Sequence, residues 1–242
     1  MLQTTVHLPH SISFEQGAPL MCAGVRNTLN LMIPLMLTNL KATVWGALQK
    51  LKPEVQPGET VAIVGIGGLG QLGIQFAKAM GFKTIAIDNR EEGRRLAAKP
   101  ASGLVPDLIV DSSSLDASDM ILDFTAGEGL AGAVVCTDSI EANAWSLRQL
   151  GNGGVMVPVG LPKNRWQFDT EPIVFRELTI RGVYVAGRDS VEKMLETVAK
   201  YNITSHISRV EFDRIPSLIK EYTDPSMCGR LVVDIRSSLP TR

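Results

Sequence analysis

The chain has 242 residues, with 24 Lys and Arg against 25 Asp and Glu, a formal net charge of -1 and 45% hydrophobic residues. A near-neutral balance leaves no global field to draw in nucleic acid or an anionic membrane, and the composition lacks the signatures of disorder, collagen and repeats. The three cysteines, Cys22, Cys136 and Cys228, are far apart with no CxxC pair, which argues against a disulfide framework and a structural zinc knuckle. Met1 to His10 shows no basic region followed by an apolar run, and the apolar Leu29 to Leu37 is broken by Pro34 and much shorter than the ~20 residues of a membrane span. The expectation is a folded cytoplasmic protein with neither nucleic-acid nor membrane partner.

From Pro57 onward, strand and helix patterns alternate. Thr60 to Val64 is a β-branched run closed by glycines, as in a strand buried on both faces of a parallel sheet. Leu69 to Met80 has apolar residues at helical spacing and ends at Gly81, a suitable C-cap. Lys83 to Ile87 reads as a second strand and Arg90 to Lys99 as a helix stopped by Pro100. Leu108 to Val110 is a third strand, Ala117 to Phe124 a helix and Ala131 to Cys136 a fourth strand. Ser139 can cap a helix running to Leu150, since Ile140, Ala144 and Leu147 share a face. Val155 to Val159 and Leu178 to Val183 complete six strands, which implies an open, doubly wound α/β sheet of the Rossmann type. Val191 to Lys200 then reads as a helix and Arg230 to Ile235 as a last strand.

Gly65-Ile66-Gly67-Gly68-Leu69-Gly70 fits G-x-G-x-x-G between the first strand and the first of these helices. Gly65 permits the tight turn, Gly67 lets the backbone approach a pyrophosphate, and Gly70 lets helix and strand pack closely, while the helix N-terminus offers N–H groups to phosphate. The pattern alone also fits a plain glycine turn. Asp88, at the end of the second strand and 23 residues after Gly65, adds a carboxylate placed to accept hydrogen bonds from ribose hydroxyls. Its charge opposes a 2′-phosphate, so NAD is expected rather than NADP. Arg90 is the counter-indication, because a guanidinium two residues on could hold that phosphate.

Beyond the loop, the ordered segments Ala18-Pro19-Leu20-Met21-Cys22-Ala23-Gly24, Val44-Trp45-Gly46-Ala47-Leu48, Pro57-Gly58-Glu59, Gly153-Gly154, Val159-Gly160-Leu161-Pro162 and Gly229-Arg230-Leu231-Val232-Val233 span nearly the whole chain. Together they resemble the zinc-containing alcohol dehydrogenases of the medium-chain dehydrogenase/reductase superfamily. The resemblance implies a remnant of a GroES-like catalytic domain over residues 1–45, an NAD-binding domain over 46–187 and a return segment over 188–242. It further implies that Gly68 and Leu69 join the loop contacts, that Arg230 reaches the pyrophosphate, and that Thr137, Val159 and Gly160 lie along the cofactor.

By the same resemblance Cys22 is the third ligand of a catalytic zinc, whose other two ligands belong to a preceding domain that this chain lacks. A single thiolate cannot complete a tetrahedral site, and His7 and His10 match neither missing motif, so zinc is not expected to be held here. Residues 25–41 have no counterpart in the family pattern. Their in-frame removal would join Gly24 to Ala42 and restore that pattern, so they read as the translation of a retained intron, the alternative being a genuine surface insertion. The implied activity is NAD-dependent interconversion of a small alcohol and its aldehyde by hydride transfer, catalytically incomplete in a truncated chain. The alternatives are a non-catalytic NAD(P)-binding protein and a zinc-independent reductase on the same fold. A homo-oligomer through the edge of the NAD-domain sheet is the expected assembly.

Overall fold

The computed structural model describes residues 7–21, 43–184, 186–224 and 226–234. Cys22 and the 25–41 stretch lie outside the described residues. Two short helices open the described chain, α1 (Phe14–Met21) and α2 (Thr43–Leu51). The α/β body then runs β1 (Thr60–Val64), α3 (Gly70–Ala79), β2 (Lys83–Ile87), α4 (Glu91–Ala98), β3 (Leu108–Val110), α5 (Ala117–Phe124) and β4 (Leu130–Val135). It continues with α6 (Ile140–Arg148), β5 (Leu150–Pro158), α7 (Thr170–Phe175), β6 (Thr179–Ile180) and α8 (Arg188–Tyr201). The six strands form one parallel sheet in the order β3-β2-β1-β4-β5-β6.

Every residue of β1 is buried, and the side chains alternate between two cores. Val61 and Ile63 face a core that α2, α3 and α8 close with Val44, Trp45, Leu48, Leu72, Phe76, Val191 and Met194. Ala62 and Val64 face the other, closed by Ala117 and Ile121 of α5 and Leu147 of α6. Trp45 stands edge-to-face on Phe76 at 5.2 Å and donates its indole N–H to Ser190 Oγ at 2.9 Å, so α2, α3 and α8 meet at one point.

Element bounds differ from the expected ones at β5 and β6, and the expected divisions at 45/46 and 187/188 meet helices. The division at 45/46 falls inside α2, whose Thr43, Val44 and Trp45 are buried in the same core as the sheet. The division at 187/188 falls at the start of α8, which also packs on that core through Val191, Leu195 and Val198. β5 begins at Leu150 rather than Val155, because Leu150 already pairs with Leu130 before the ladder shifts register across the glycines. β6 is only Thr179–Ile180; beyond it the Arg181 guanidinium turns onto Glu54 and the Lys50 carbonyl. Ser139 does cap α6, accepting from the Ala142 N–H at 3.1 Å, and Gly81 closes α3 at φ +87.

After α8 the chain forms a second, two-stranded parallel sheet, β7 (Ile207–Glu211) with β8 (Arg230–Asp234). A 3₁₀ turn (Phe212–Ser217) and α9 (Leu218–Tyr222) connect them. β7 and this crossover carry no strong periodicity, and the sequence reading placed only the last strand.

Candidate functional site

A cavity of about 510 Å³ opens at the carboxyl ends of β1, β2 and β4, where the strand order reverses between β1 and β4. Crevices at such switch points are where open α/β sheets bind ligands. Gly65 and Gly67 form one wall, Asp88 and Arg90 a second, Thr137 and Ser139 a third.

The three glycines of the motif have separate physical roles. Gly65 sits at φ +86, open to glycine, and its N–H donates to the Ile87 carbonyl at 2.8 Å. A Cβ on Gly70 would collide with the Gly65 carbonyl oxygen, so strand end and helix start touch backbone to backbone. Around Gly67 a Cβ would meet nothing within 4 Å: its openness faces the cavity, where a ligand backbone approach has room. Leu69 is the N-cap of α3, with no side-chain cap; the Gln71 N–H donates to the Gly67 carbonyl at 3.3 Å and the Leu72 N–H to the Leu69 carbonyl at 3.0 Å, so the loop backbone itself closes the first turn. Arg230 lies across Gly68, with its Nε–H donating to the Gly68 carbonyl at 3.2 Å.

Asp88 is 4% exposed. Its Oδ2 accepts from the Ile66 N–H at 2.6 Å and from Arg90 Nη2 at 3.1 Å; its Oδ1 accepts from the Arg90 N–H at 2.8 Å and Nε at 3.2 Å. The carboxylate thus ties the glycine loop to the start of α4. Gly93 makes room for it, since a Cβ there would strike Oδ2. The hydrogen-bonded Asp88 holds the Arg90 guanidinium above its ordinary value. The Arg94 guanidinium donates to the Asp88 carbonyl at 3.0 Å and pairs with Asp111 at 3.0 Å. Burial pushes the Cys136 thiol up to about 12, with the nearby Arg230 opposing the shift.

The structure therefore brings Gly65, Gly67, Asp88, Arg90 and Thr137 to one cavity, with Gly68, Leu69, Gly70 and Arg230 on the loop beside it. Val159 and Gly160 follow β5 next to Thr137, outside the cavity lining; Gly160 approaches the Thr137 carbonyl so closely that a Cβ would not fit. Sequence reasoning missed Ser112, Ser113 and the α6 face of Glu141, Trp145 and Arg148, which also line the cavity. Their only signal was position, at the end of β3 and the first turns after β4. Among the described residues no cluster of three or more His, Cys, Asp or Glu is arranged to hold a metal ion. His7 and His10 face each other edge-on at 5.6 Å near α1. The described residues by themselves offer no donor set for a catalytic zinc. No helix among the described residues is long and apolar enough to cross a membrane.

Strand order, glycine turn and cavity define a doubly wound fold of the dinucleotide-binding type. The signature of the family described as zinc-binding dehydrogenase matches residues 68–200, more than half of the chain, and the chain belongs to that family. An alcohol dehydrogenase of Rhizobium meliloti (strain 1021) is 32% identical over 228 residues, covering 94% of this chain and 60% of its own length. A cinnamyl alcohol dehydrogenase of Sorghum bicolor superimposes with a TM-score of 0.77 at 23% identity, over 98% of this chain and 60% of that one. An acetophenone reductase of Geotrichum candidum, solved in complex with NAD, superimposes with a TM-score of 0.67 at 23% identity, over 81% and 54%. The chain thus spans about 60% of the length of the curated relatives it matches.

Proposed function

We propose that the cavity binds NAD and that the chain is the cofactor-binding part of an oxidoreductase interconverting an alcohol and its aldehyde. The observation that carries this reading is the glycine loop itself: the Gly65–Gly70 contact sets the N-terminus of α3 at the cavity mouth, while Gly67 stays open beside it. Bound nicotinamide supplies the hydride acceptor or donor. The chain's own groups bind and orient. The α3 N-terminus and Arg230 take the pyrophosphate, Asp88 takes the adenosine ribose, and Thr137, Val159 and Gly160 flank the path towards the nicotinamide.

The choice of NAD over NADP is supported by Arg90, which lines the cavity with its guanidinium hydrogen-bonded to both carboxylate oxygens of Asp88. A ribose hydroxyl can replace one guanidinium contact on the carboxylate, whereas a 2′-phosphate would press charge against charge. The relatives' names support the alcohol or aldehyde substrate class. Pairing of two chains along β6 is part of the same proposal, because β6 is an edge of the six-stranded sheet and the exposed Val174 and Phe175 precede it in the chain.

Titration with NADH by nucleotide fluorescence, with bound zinc and alcohol oxidation measured on the same sample, tests the reading. Saturable NADH binding supports it, and absence of binding overturns it. Turnover together with one zinc per chain would assign the metal to residues beyond those described.

A further inference from the structure

Three glutamines each pair, through one primary amide, with both backbone groups of one residue in the segment 204–206. Gln75 accepts from the Thr204 N–H at 3.2 Å and donates to its carbonyl at 2.9 Å. Gln16 accepts from the Ser205 N–H at 2.8 Å and donates to its carbonyl at 3.2 Å. Gln71 accepts from the His206 N–H at 2.7 Å and donates to its carbonyl at 3.4 Å and to Ser205 Oγ at 3.1 Å. Three consecutive residues that no strand pairs are satisfied as a strand would satisfy them, by side chains from α1 and α3. Gln71 and Gln75 are buried, at 5% and 1% exposed, so these amides have little water to fall back on.

The clamp leads back to the glycine loop. The His206 carbonyl that receives the Gln71 amide also receives the Arg230 N–H at 2.9 Å, at the start of the β7–β8 pairing. Gly229, at φ +73, permits this approach, because a Cβ there would strike the same carbonyl. The Arg230 side chain then reaches Gly68, one helical turn before Gln71. Loop, helix, clamp and arginine form a closed circuit: Gly68, Gln71, His206, Arg230 and again Gly68.

We propose that Gln71 is a positioning residue for the cofactor: through the His206 backbone it fixes where the Arg230 guanidinium stands over the glycine loop, and so how well that guanidinium meets the pyrophosphate. This deepens the nucleotide-binding reading and depends on it. Gln71 itself faces a separate pocket between α3 and the return segment and is absent from the lining of the cofactor cavity. It acts only through its neighbours.

A double-mutant cycle on the full chain tests this, with NADH affinity read by fluorescence titration and adenosine as a ligand without a pyrophosphate. Arg230→Ala is expected to weaken NADH by roughly tenfold to a hundredfold, the scale of one charge-assisted hydrogen bond. Gln71→Met should weaken NADH about tenfold, leave adenosine within about twofold, and add less than about twofold on the Arg230→Ala background. Gln71→Glu, which keeps an acceptor for the His206 N–H but loses the donor to the His206 carbonyl, should show the same coupling, with urea unfolding of each variant confirming that the chain whose affinity is read is folded. Losses that multiply, or that fall equally on adenosine and NADH, overturn the assignment and leave Gln71 as a stabilising residue only. A wild-type chain that binds no NADH overturns the nucleotide reading itself, which keeps the two failures distinct.

Discussion

The glycine loop at 65–70 and the return segment at 204–206 solve one problem in opposite ways. Both hold a stretch of backbone against α3. The loop does so by deleting side chains, so that Gly70 can touch the Gly65 carbonyl. The return segment does so by adding them, with one amide for each residue's N–H and C=O. A deletion has a fixed spacing along the chain. An added amide comes from wherever the fold supplies it, here from residues 129 to 189 positions away.

The sharpest way to break this comparison is to put a methyl group into the loop at two positions. Gly70→Ala forces a Cβ into a backbone carbonyl that has no side-chain freedom to yield, so stability should fall by about 2–3 kcal/mol and NADH affinity by about a hundredfold or more. Gly67→Ala meets nothing, so urea unfolding should move by less than about 1 kcal/mol while NADH weakens about tenfold. Equal stability losses for the two would refute the division of labour inside the motif.

On the other side of the comparison, Gln75→Met leaves Thr204 N–H and C=O without their amide and Ser102 Oγ without its acceptor. Urea denaturation should show a loss of about 2–3 kcal/mol. A loss below about 0.5 kcal/mol would mean the clamp is dispensable.

A further effect is expected in alkali. The Cys136 thiol is held up to about 12 in the folded chain against 9.0 as its ordinary value. The stability contributed by the neutral thiol is therefore complete below about pH 9 and is lost as pH rises from there through about 12. Cys136→Ala should flatten this alkaline limb of the urea midpoint; an unchanged slope assigns the limb to other groups. The smallest effect is expected at the exposed Arg95–Glu91 pair on α4, where Arg95→Ala should shift stability by less than about 0.5 kcal/mol.

What was legible in the sequence follows the same division. The strand and helix alternation, the glycine turn, the position of Asp88 at the end of β2 and the Ser139 cap were readable because each is a local pattern with a fixed offset, whereas the strand order is a property of the folded sheet. Burial of both sheet faces left apolar runs that mark a parallel strand without further help. The α2 helix was not read as part of the sheet's core, since what places Val44, Trp45 and Leu48 there is packing with α3 and α8, which leaves no local signal. β7 escaped because its outward residues Ser208, Arg209 and Glu211 are polar and its partner lies beyond a crossover. Arg90 was readable as a cation near the ribose site; its folding onto Asp88 is a three-dimensional fact.

The most direct test is the ratio of NADPH to NADH dissociation constants for the wild-type chain, measured by calorimetry in one buffer. With Asp88 as the ribose acceptor and Arg90 held against it, NADH should bind at least about tenfold more tightly. Equal affinities, or a preference for NADPH, would contradict this and place the Arg90 guanidinium on the 2′-phosphate instead.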